Sequence, residues 1–158
     1  MPNYFLDTSA LAKLYHREAG SDYVDRILRD PGSRSFISRL SIVEMESVLA
    51  IKVRTGEIDQ RDVEIARRCL RSDLTRQHLL VGPPIQTHHY QTARTLLVRY
   101  GGGEGLRTLD ALQLAIALDL RHFGLIGVLV AADQRLCRVA SLAGCSAVNP
   151  EKPDPMLA

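Results

Sequence analysis

The sequence contains few of the residues on which disulfide-rich and zinc-binding proteins depend. Only three of its 158 residues are cysteine, and none is tryptophan. Cys69, Cys137 and Cys145 are an odd number, and no Cys-x-x-Cys or Cys/His ligand spacing surrounds them. Neither a disulfide framework nor a zinc site is implied, and we expect the chain to work in a reducing compartment.

Long hydrophobic runs and a strong charge imbalance are missing as well. The most apolar run, from Leu125 to Ala132, is far shorter than the roughly 20 residues that a membrane-spanning helix needs. No signal peptide precedes Tyr4, so we expect a soluble, cytoplasmic protein without membrane contact. The net charge is +2 and the isoelectric point about 8.5, so the overall charge does not indicate nucleic-acid binding. A charge total hides its distribution, however, and still permits an acidic cleft surrounded by arginines.

Several catalytic motifs are also absent. No Gly-x-Ser-x-Gly turn offers a serine nucleophile, and the Gly-rich stretch that ends at Gly105 lacks the Lys-Ser/Thr pair of a phosphate-binding loop. A phosphatase of the haloacid dehalogenase type would require a second Asp two residues after Asp7, where the chain has Ser9. His88 and His89 are adjacent, so on a helix they diverge by about 100°, unlike an i, i+4 metal-binding pair. The candidates for chemistry that remain are the acids.

The chain alternates short apolar runs with stretches of helical periodicity, which is typical of an α/β domain with a parallel sheet. Its length and its 46% hydrophobic content fit one ordinary domain with a sizeable core. The run at 128–131 is fully apolar, as expected of a strand that helices cover on both faces. Predicted strands lie at residues 4–6, 35–38, 79–81, 128–131 and 146–148.

Three of the predicted helices have boundaries that bear on the candidate site. One begins near Ser41 and stops at residues 55–56. Another ends at Gly101–Gly103, which we interpret as a flexible lead-in to the next helix. That next helix begins near Thr108 and places Leu109 against the core.

Four acids follow or begin these elements at positions that predict a common location. Asp7 and Asp133 each follow an apolar strand, whereas Glu44 and Asp110 each lie in the first predicted turn of a helix. The carboxyl ends of parallel strands share one edge of the sheet, and open α/β sheets bind ligands at that edge. We therefore expect all four carboxylates to converge there.

Each acid also has a purely structural interpretation. Asp7 is a residue type that caps helices, and Ser41 with Glu44 fits a capping box. A carboxylate near a helix N-terminus, such as Asp110, is stabilised by about 0.3–1 kcal/mol through the helix dipole. The conjunction of the four favours a function instead, because clustered carboxylates repel one another unless cations compensate. Hard oxygen ligands without Cys or His select Mg²⁺ or Mn²⁺.

These acids and their surroundings resemble the PIN-domain ribonucleases, and more narrowly the VapC toxins of bacterial and archaeal toxin–antitoxin pairs. The resemblance covers nearly the whole chain and follows the order of the family's motifs. Those motifs are FLDTSAL at residues 5–11, IVEME at 42–46, LDALQLA at 109–115 and ADQRL at 132–136, with NPE at 149–151 closing the domain. One departure from the pattern is Ala131-Ala132, where many relatives carry Ser or Thr before the last Asp.

The resemblance implies a three-layer α/β/α fold with a central parallel sheet. It implies a single nuclease domain over residues 1–150, followed by a C-terminal tail at 151–158. The implied partners are an RNA substrate, a cognate antitoxin protein that blocks the site, and a second copy of the chain in a homodimer.

Carried over residue by residue, the resemblance assigns catalytic, metal-binding roles to Asp7, Glu44, Asp110 and Asp133. Glu46 competes with Glu44 for the helix position, although the family's acid usually follows two apolar residues, as Glu44 does. A bound Mg²⁺ or Mn²⁺ is expected to activate a water molecule that hydrolyses RNA phosphodiester bonds, without a side-chain nucleophile.

Substrate phosphates need cationic partners around such an acidic centre. Arg39 and Arg107 each precede a site acid by a few residues, and we predict that they bind substrate. The alternative is that both are ordinary surface arginines. Two other functions also stay open: a PIN-like module that binds RNA or protein without cleaving it, and a metal-dependent phosphatase of small phosphomonoesters.

Overall fold

Five short parallel strands form the centre of the computed structural model, which describes residues 2–154. They are β1 (Tyr4–Leu6), β2 (Ser35–Ile37), β3 (Leu79–Val81), β4 (Val128–Val130) and β5 (Ser146–Val148). Each strand lies within one residue of its predicted position, so the strand predictions are confirmed. The predicted tail at 151–158 lies partly outside the described residues, and its boundary stays a prediction.

Seven α-helices connect the strands within the described part of the chain. They are α1 (Thr8–Leu11), α2 (Ser21–Arg29), α3 (Arg39–Arg54), α4 (Gln60–Thr75), α5 (Thr87–Glu104), α6 (Thr108–His122) and α7 (Gln134–Leu142), with a short 3₁₀ helix (Ala12–Leu14) directly after α1. Among residues 2–154, no helix combines the length and the apolar character that crossing a bilayer requires. The alternation of strands and helices confirms the α/β class.

The strand order β3-β2-β1-β4-β5 places the topological switch point between β1 and β4. These two strands pair in parallel, from Tyr4 with Val128 to Leu6 with Val130. The chain runs outward from β1 through β2 to β3 and then crosses back to the other side of β1. The carboxyl ends of the two central strands therefore meet at the crevice where sheets of this kind bind ligands.

Side chains on the two faces of the sheet enter separate hydrophobic cores. Tyr4 and Leu6 pack with α1–α4 on one face, whereas Phe5 packs with α5–α7 on the other. The same alternation occurs in β4, where Val130 joins the first core and Leu129 the second. Because a strand has a side-chain period of two, each central strand serves both cores. The predicted three-layer α/β/α fold is confirmed.

Helix α3 begins earlier than predicted, at Arg39 rather than near Ser41. Ser38 is its N-cap, and the Ser38 hydroxyl accepts a hydrogen bond from the backbone N–H of Ser41 at 3.2 Å. The predicted capping box is therefore wrong, because Ser41 is already the third residue of the helix. Glu44 consequently lies in the second turn, where the helix dipole offers a carboxylate little stabilisation.

Helix α5 does not end at Gly101–Gly103 as predicted. It continues through these glycines to Glu104, and Gly105 caps it with a φ of 71°, a backbone conformation that favours glycine. The interpretation of the glycines as a flexible lead-in is therefore wrong. Leu109, which we expected against the core, is 47% exposed, because α6 turns Ala111 and Leu114 inward instead.

Candidate active site

Asp7 follows β1 at the switch point, and only 5% of its surface is exposed. Its Oδ2 accepts a hydrogen bond from the backbone N–H of Ser9 at 3.2 Å and another from the Ser9 hydroxyl at 2.7 Å. Burial raises the pKa of Asp7 to about 6; the bonds from Ser9 oppose this rise, and the charges of Asp110 and Glu44 add to it. Asp7 therefore caps α1 and also belongs to a group of acids.

The Ser9 hydroxyl joins the ends of the two central strands. While it donates to Asp7, its oxygen accepts a hydrogen bond from the backbone N–H of Ala132 at 2.9 Å. The side-chain amide of Asn149 donates to the carbonyl of Ala132 at 3.3 Å. Ser9 and Asn149 thus hold the backbone directly before Asp133 in place.

Arg107 connects two further acids of the group. Its Nε donates to Asp110 Oδ2 at 3.2 Å, and its Nη2 donates to Asp133 Oδ2 at 3.3 Å. These two carboxylate side chains are 18% and 22% exposed, so they are more accessible than Asp7. Burial raises the pKa of Asp110, although the charge of Arg107 opposes the rise. The arginine that we predicted to bind substrate thus lies against the acids and offsets part of their charge.

Glu44 reaches the group from α3, and its hydrogen-bond partner comes from the middle of α6. The side-chain amide nitrogen of Gln113 donates to Glu44 Oε1 at 2.7 Å. Gln113 is completely buried and lies three residues after Asp110, so both side chains share one side of α6. The sequence reasoning missed Gln113, although its spacing from a candidate acid was a usable signal.

The second acid on α3, Glu46, lies apart from the others. Its carboxylate pairs with Arg67 of α4, with Arg67 Nη2 at 2.7 Å from Glu46 Oε2. Hydrogen bonds from Arg67 hold the pKa of Glu46 below its usual range. The structure therefore places Glu44, rather than Glu46, with Asp7, Asp110 and Asp133.

This placement predicts opposite behaviour for two matched substitutions on α3. We expect Glu44→Gln to reduce the rise in melting temperature that Mn²⁺ causes, because a ligand stabilises a fold in proportion to its affinity for the folded state. Glu46→Gln should keep the full rise, since its carboxylate is engaged with Arg67. Thermal melts of both variants in EDTA and in Mn²⁺ measure the difference. An equal loss of the metal effect in both variants would contradict the assignment.

Arg39, the other predicted substrate-binding residue, is the first residue of α3 and is exposed. Within residues 2–154 it has no hydrogen-bonded or ion-paired partner, in contrast to Arg107. Its guanidinium is therefore available at the helix that carries Glu44.

His88 and His89 converge, so the prediction that they diverge is wrong. The Nε2 atoms of both rings lie near Asp119 Oδ2, at 3.2 and 3.0 Å, and the three side chains have the spacing of possible metal ligands. The backbone N–H of Gln86, however, donates to His89 Nδ1 at 2.9 Å. The proton of a neutral His89 is therefore on Nε2 and is directed at Asp119. We interpret this group as a hydrogen-bonded link between α5 and α6.

A cavity of about 860 Å³ lies between α2 and α4, and none of the four acids lines it. Its polar lining includes Asp25, Arg29, Asp73 and His78. The four acids instead lie at the carboxyl edge of the sheet, where Asp7 follows β1 and Asp133 follows the end of β4.

Comparison with solved structures finds the same architecture in other proteins. PAE2754 from Pyrobaculum aerophilum is 25% identical, with a TM-score of 0.57 over 94% of this chain and 90% of that one. VapC20 of Mycobacterium tuberculosis, a toxin that cleaves the sarcin-ricin loop, is 20% identical, with a TM-score of 0.64 over 96% and 100%. FitAcB from Neisseria gonorrhoeae is 14% identical, with a TM-score of 0.61 over 93% and 97%. No curated protein matches the chain.

Comparison with protein families gives a match over most of the sequence. The model of the PIN domain matches residues 4–142, which contain all four acids and all strands except β5. The chain therefore belongs to the PIN domain family.

Proposed function

We propose that this protein is a divalent-metal-dependent endoribonuclease and the toxin component of a toxin–antitoxin pair. The observation that carries the proposal is the convergence of Asp7, Glu44, Asp110 and Asp133 at the switch point, with Arg107 bonded to two of them. Membership of a family of nucleases supports phosphodiester hydrolysis. The fold shared with VapC20, a toxin that cleaves the sarcin-ricin loop, supports RNA as the substrate class.

The acids fit a hard divalent cation. Four carboxylates offer only oxygen ligands, and among the described residues one guanidinium, that of Arg107, bonds to them. Burial raises the pKa of Asp7 to about 6 and also raises the pKa of Asp110, and the neighbouring acids add to both rises; a bound cation would favour the ionised carboxylates again. Such a donor set suits Mg²⁺ or Mn²⁺.

The mechanism assigns a task to each part of the site. Asp7, Glu44, Asp110 and Asp133 would hold the cation, which when bound acts as a Lewis acid and makes a water molecule acidic enough to attack a phosphodiester. One of the four carboxylates would accept the proton of the attacking water. Arg39 and Arg107 would contact substrate phosphates, Arg107 from its position against Asp110 and Asp133.

The role of Arg39 predicts a modest, salt-sensitive loss of RNA affinity. We expect Arg39→Gln to weaken RNA binding several-fold and to reduce the slope of log affinity against log salt by about one contact. Fluorescence anisotropy with a labelled RNA in Ca²⁺, over a series of salt concentrations, measures both quantities. Arg68→Gln, which changes an exposed arginine on α4, is the matched control and should leave the slope unchanged. An unchanged slope for Arg39→Gln would remove this residue from the substrate surface.

We further propose three properties that accompany the toxin role. A small antitoxin from a neighbouring reading frame binds the chain and blocks the acids with a basic side chain. VapC20, a toxin with the same fold, supports the toxin role on which such a partner depends. The active form is a homodimer, and it acts on RNA in the cytoplasm.

The central test is incubation of purified protein with total RNA in Mn²⁺ and in EDTA. Cleavage of RNA in Mn²⁺ but not in EDTA supports the proposal. A parallel assay with a chromogenic phosphate monoester separates the phosphatase alternative, which predicts hydrolysis of that compound and intact RNA. Binding of RNA without cleavage in either buffer would instead favour the non-catalytic module.

Expression in the native host tests the toxin role. The chain alone should slow growth, and co-expression with the neighbouring short reading frame should restore it. Normal growth with the wild-type chain expressed alone would count against the toxin role while leaving the nuclease activity to the assay in vitro.

A further inference from the structure

Gln113 occupies the centre of a buried polar cluster that is in direct contact with a site acid. We propose that Gln113 is a positioning residue, which orients the carboxylate of Glu44 for metal binding. The proposal rests on the metal-dependent function proposed above, and it goes further by assigning a role to a residue outside the four acids.

The contact with Glu44 fixes which way the Gln113 amide faces. The amide nitrogen lies 2.7 Å from Glu44 Oε1, and the amide oxygen accepts a hydrogen bond from the Ser38 hydroxyl at 2.7 Å. In the reverse orientation the amide oxygen would face a carboxylate oxygen at that short distance, which is repulsive. The charge of Glu44 therefore selects this orientation, and the Ser38 hydroxyl, which can donate or accept, then donates to the amide oxygen.

Other hydroxyls hold the amide from the remaining sides. Its nitrogen lies 3.0 Å from the Ser41 hydroxyl and 3.2 Å from the Thr8 hydroxyl. Gln113, Ser38 and Ser41 are each 0% exposed, so water does not compete for these bonds. Through this cluster α6 is tied to the start of α3 and to the residue that follows Asp7.

The cluster binds one of the two carboxylate oxygens of Glu44. Its Oε1 is engaged by Gln113, whereas Oε2 has no hydrogen-bond partner among the described residues. No other side chain of residues 2–154 donates to this carboxylate. Within residues 2–154, the orientation of the acid that α3 supplies to the site thus depends on one amide from α6. Hydrogen-bonded partners of this kind fix the orientation of metal ligands.

The test measures Mn²⁺ affinity directly, by calorimetry, in a variant that keeps the size of the side chain. Gln113→Met has about the same length but cannot donate to Glu44. We expect its Mn²⁺ dissociation constant to rise by about 10-fold to 100-fold, the usual effect of removing a partner of a metal ligand. Gln113→His, whose ring N–H lies at nearly the same distance from the backbone, should recover most of the affinity. Glu46→Gln is the control, with an unchanged affinity.

A double substitution separates positioning from general loss of structure. In the Glu44→Gln background, Gln113→Met should cause little further loss of Mn²⁺ affinity, because the carboxylate that it orients is already gone. A purely structural role predicts a lower melting temperature in EDTA, an unchanged affinity in the single variant, and no recovery in Gln113→His. If Gln113→Met does not fold, Ser38→Ala replaces it, since this variant keeps the amide and removes the hydroxyl that donates to its oxygen. Because Ser38 also caps α3, the melting temperature of this variant in EDTA is measured beside its affinity. Ser38→Ala should then weaken Mn²⁺ binding several-fold.

Two negative outcomes are distinguishable. If wild-type protein binds no Mn²⁺ and cuts no RNA, the proposed function fails and this inference fails with it. If wild-type protein binds Mn²⁺ and the folded variant at Gln113 or Ser38 binds it equally well, the proposed function stands and the positioning role is overturned.

Discussion

Asp7→Asn should lose metal-dependent RNA cleavage by at least about 100-fold, because electrostatic stabilisation by a metal centre is worth several kcal/mol and each 1.4 kcal/mol is a factor of about ten. The asparagine keeps the shape of the side chain and can still accept the hydrogen bonds from Ser9. What it lacks is the negative charge at the most buried position of the site. Initial rates on a labelled RNA in saturating Mn²⁺ measure the loss.

Two comparisons decide whether this loss reports on the metal site. Glu46→Gln should cleave RNA as wild type does, since Glu46 lies apart from the other acids. The melting temperature of Asp7→Asn should also rise less with Mn²⁺ than that of wild type. An Asp7→Asn protein that keeps both cleavage and the full Mn²⁺ effect would remove Asp7 from the site and leave it as a helix cap.

The same substitution should make the metal-free protein more stable near neutral pH. The pKa of Asp7 is raised from 3.8 to about 6 in the folded state. A raised carboxyl pKa means that the folded state binds the proton more tightly, so its contribution to stability is present at low pH and is lost as the pH rises through about 6. Asparagine does not ionise. The free energy of unfolding of the variant should therefore exceed that of wild type by an amount that grows from about pH 4 to pH 7 and approaches about 3 kcal/mol.

Urea unfolding in EDTA over this pH range measures the gain. The matched comparison is again Glu46→Gln, whose carboxylate has a pKa held below its usual range by Arg67, so its removal should give no gain toward neutral pH. A helix cap without a charge conflict predicts instead that Asp7→Asn changes the free energy of unfolding little at any pH in this range, because asparagine caps a helix about as well as aspartate does. If the difference in the free energy of unfolding between Asp7→Asn and wild type does not change with pH, Asp7 does not have a raised pKa in the folded state.

The position of the acids could be predicted from the sequence because it depends on local rules. Asp7 and Asp133 follow apolar strands, and the ends of parallel strands lie on one edge whatever the helices do. Glu44 was placed correctly for a partly wrong reason. The cap considered at Ser41 was three residues late, since several serines lie near the start of this helix and only the fold shows which hydroxyl accepts from which N–H.

What the sequence could not show is how side chains from distant elements meet. A glutamine in a helix usually faces water, so the spacing of Gln113 from Asp110 could suggest its side of α6 but not its burial, which depends on the packing of α3 and α1 around it. The adjacent histidines diverge on an isolated helix, yet Asp119 of a neighbouring helix draws both toward it. The helical state of Gly101–Gly103 is also a matter of packing, because the intrinsic preference of glycine opposes it.

The strand order determines when the sheet can be completed during synthesis on the ribosome. The central pair of the sheet joins β1, made first, to β4, made about 120 residues later, and the fourth acid, Asp133, follows β4. Before β4 has emerged from the ribosome, one side of β1 has no partner strand and the group of four acids is incomplete. On the function proposed above, a chain built in this order lacks its complete acid group, and so cleaves no RNA, until Asp133 has left the ribosome. The proposed inhibitor would then be needed only from the end of translation onwards.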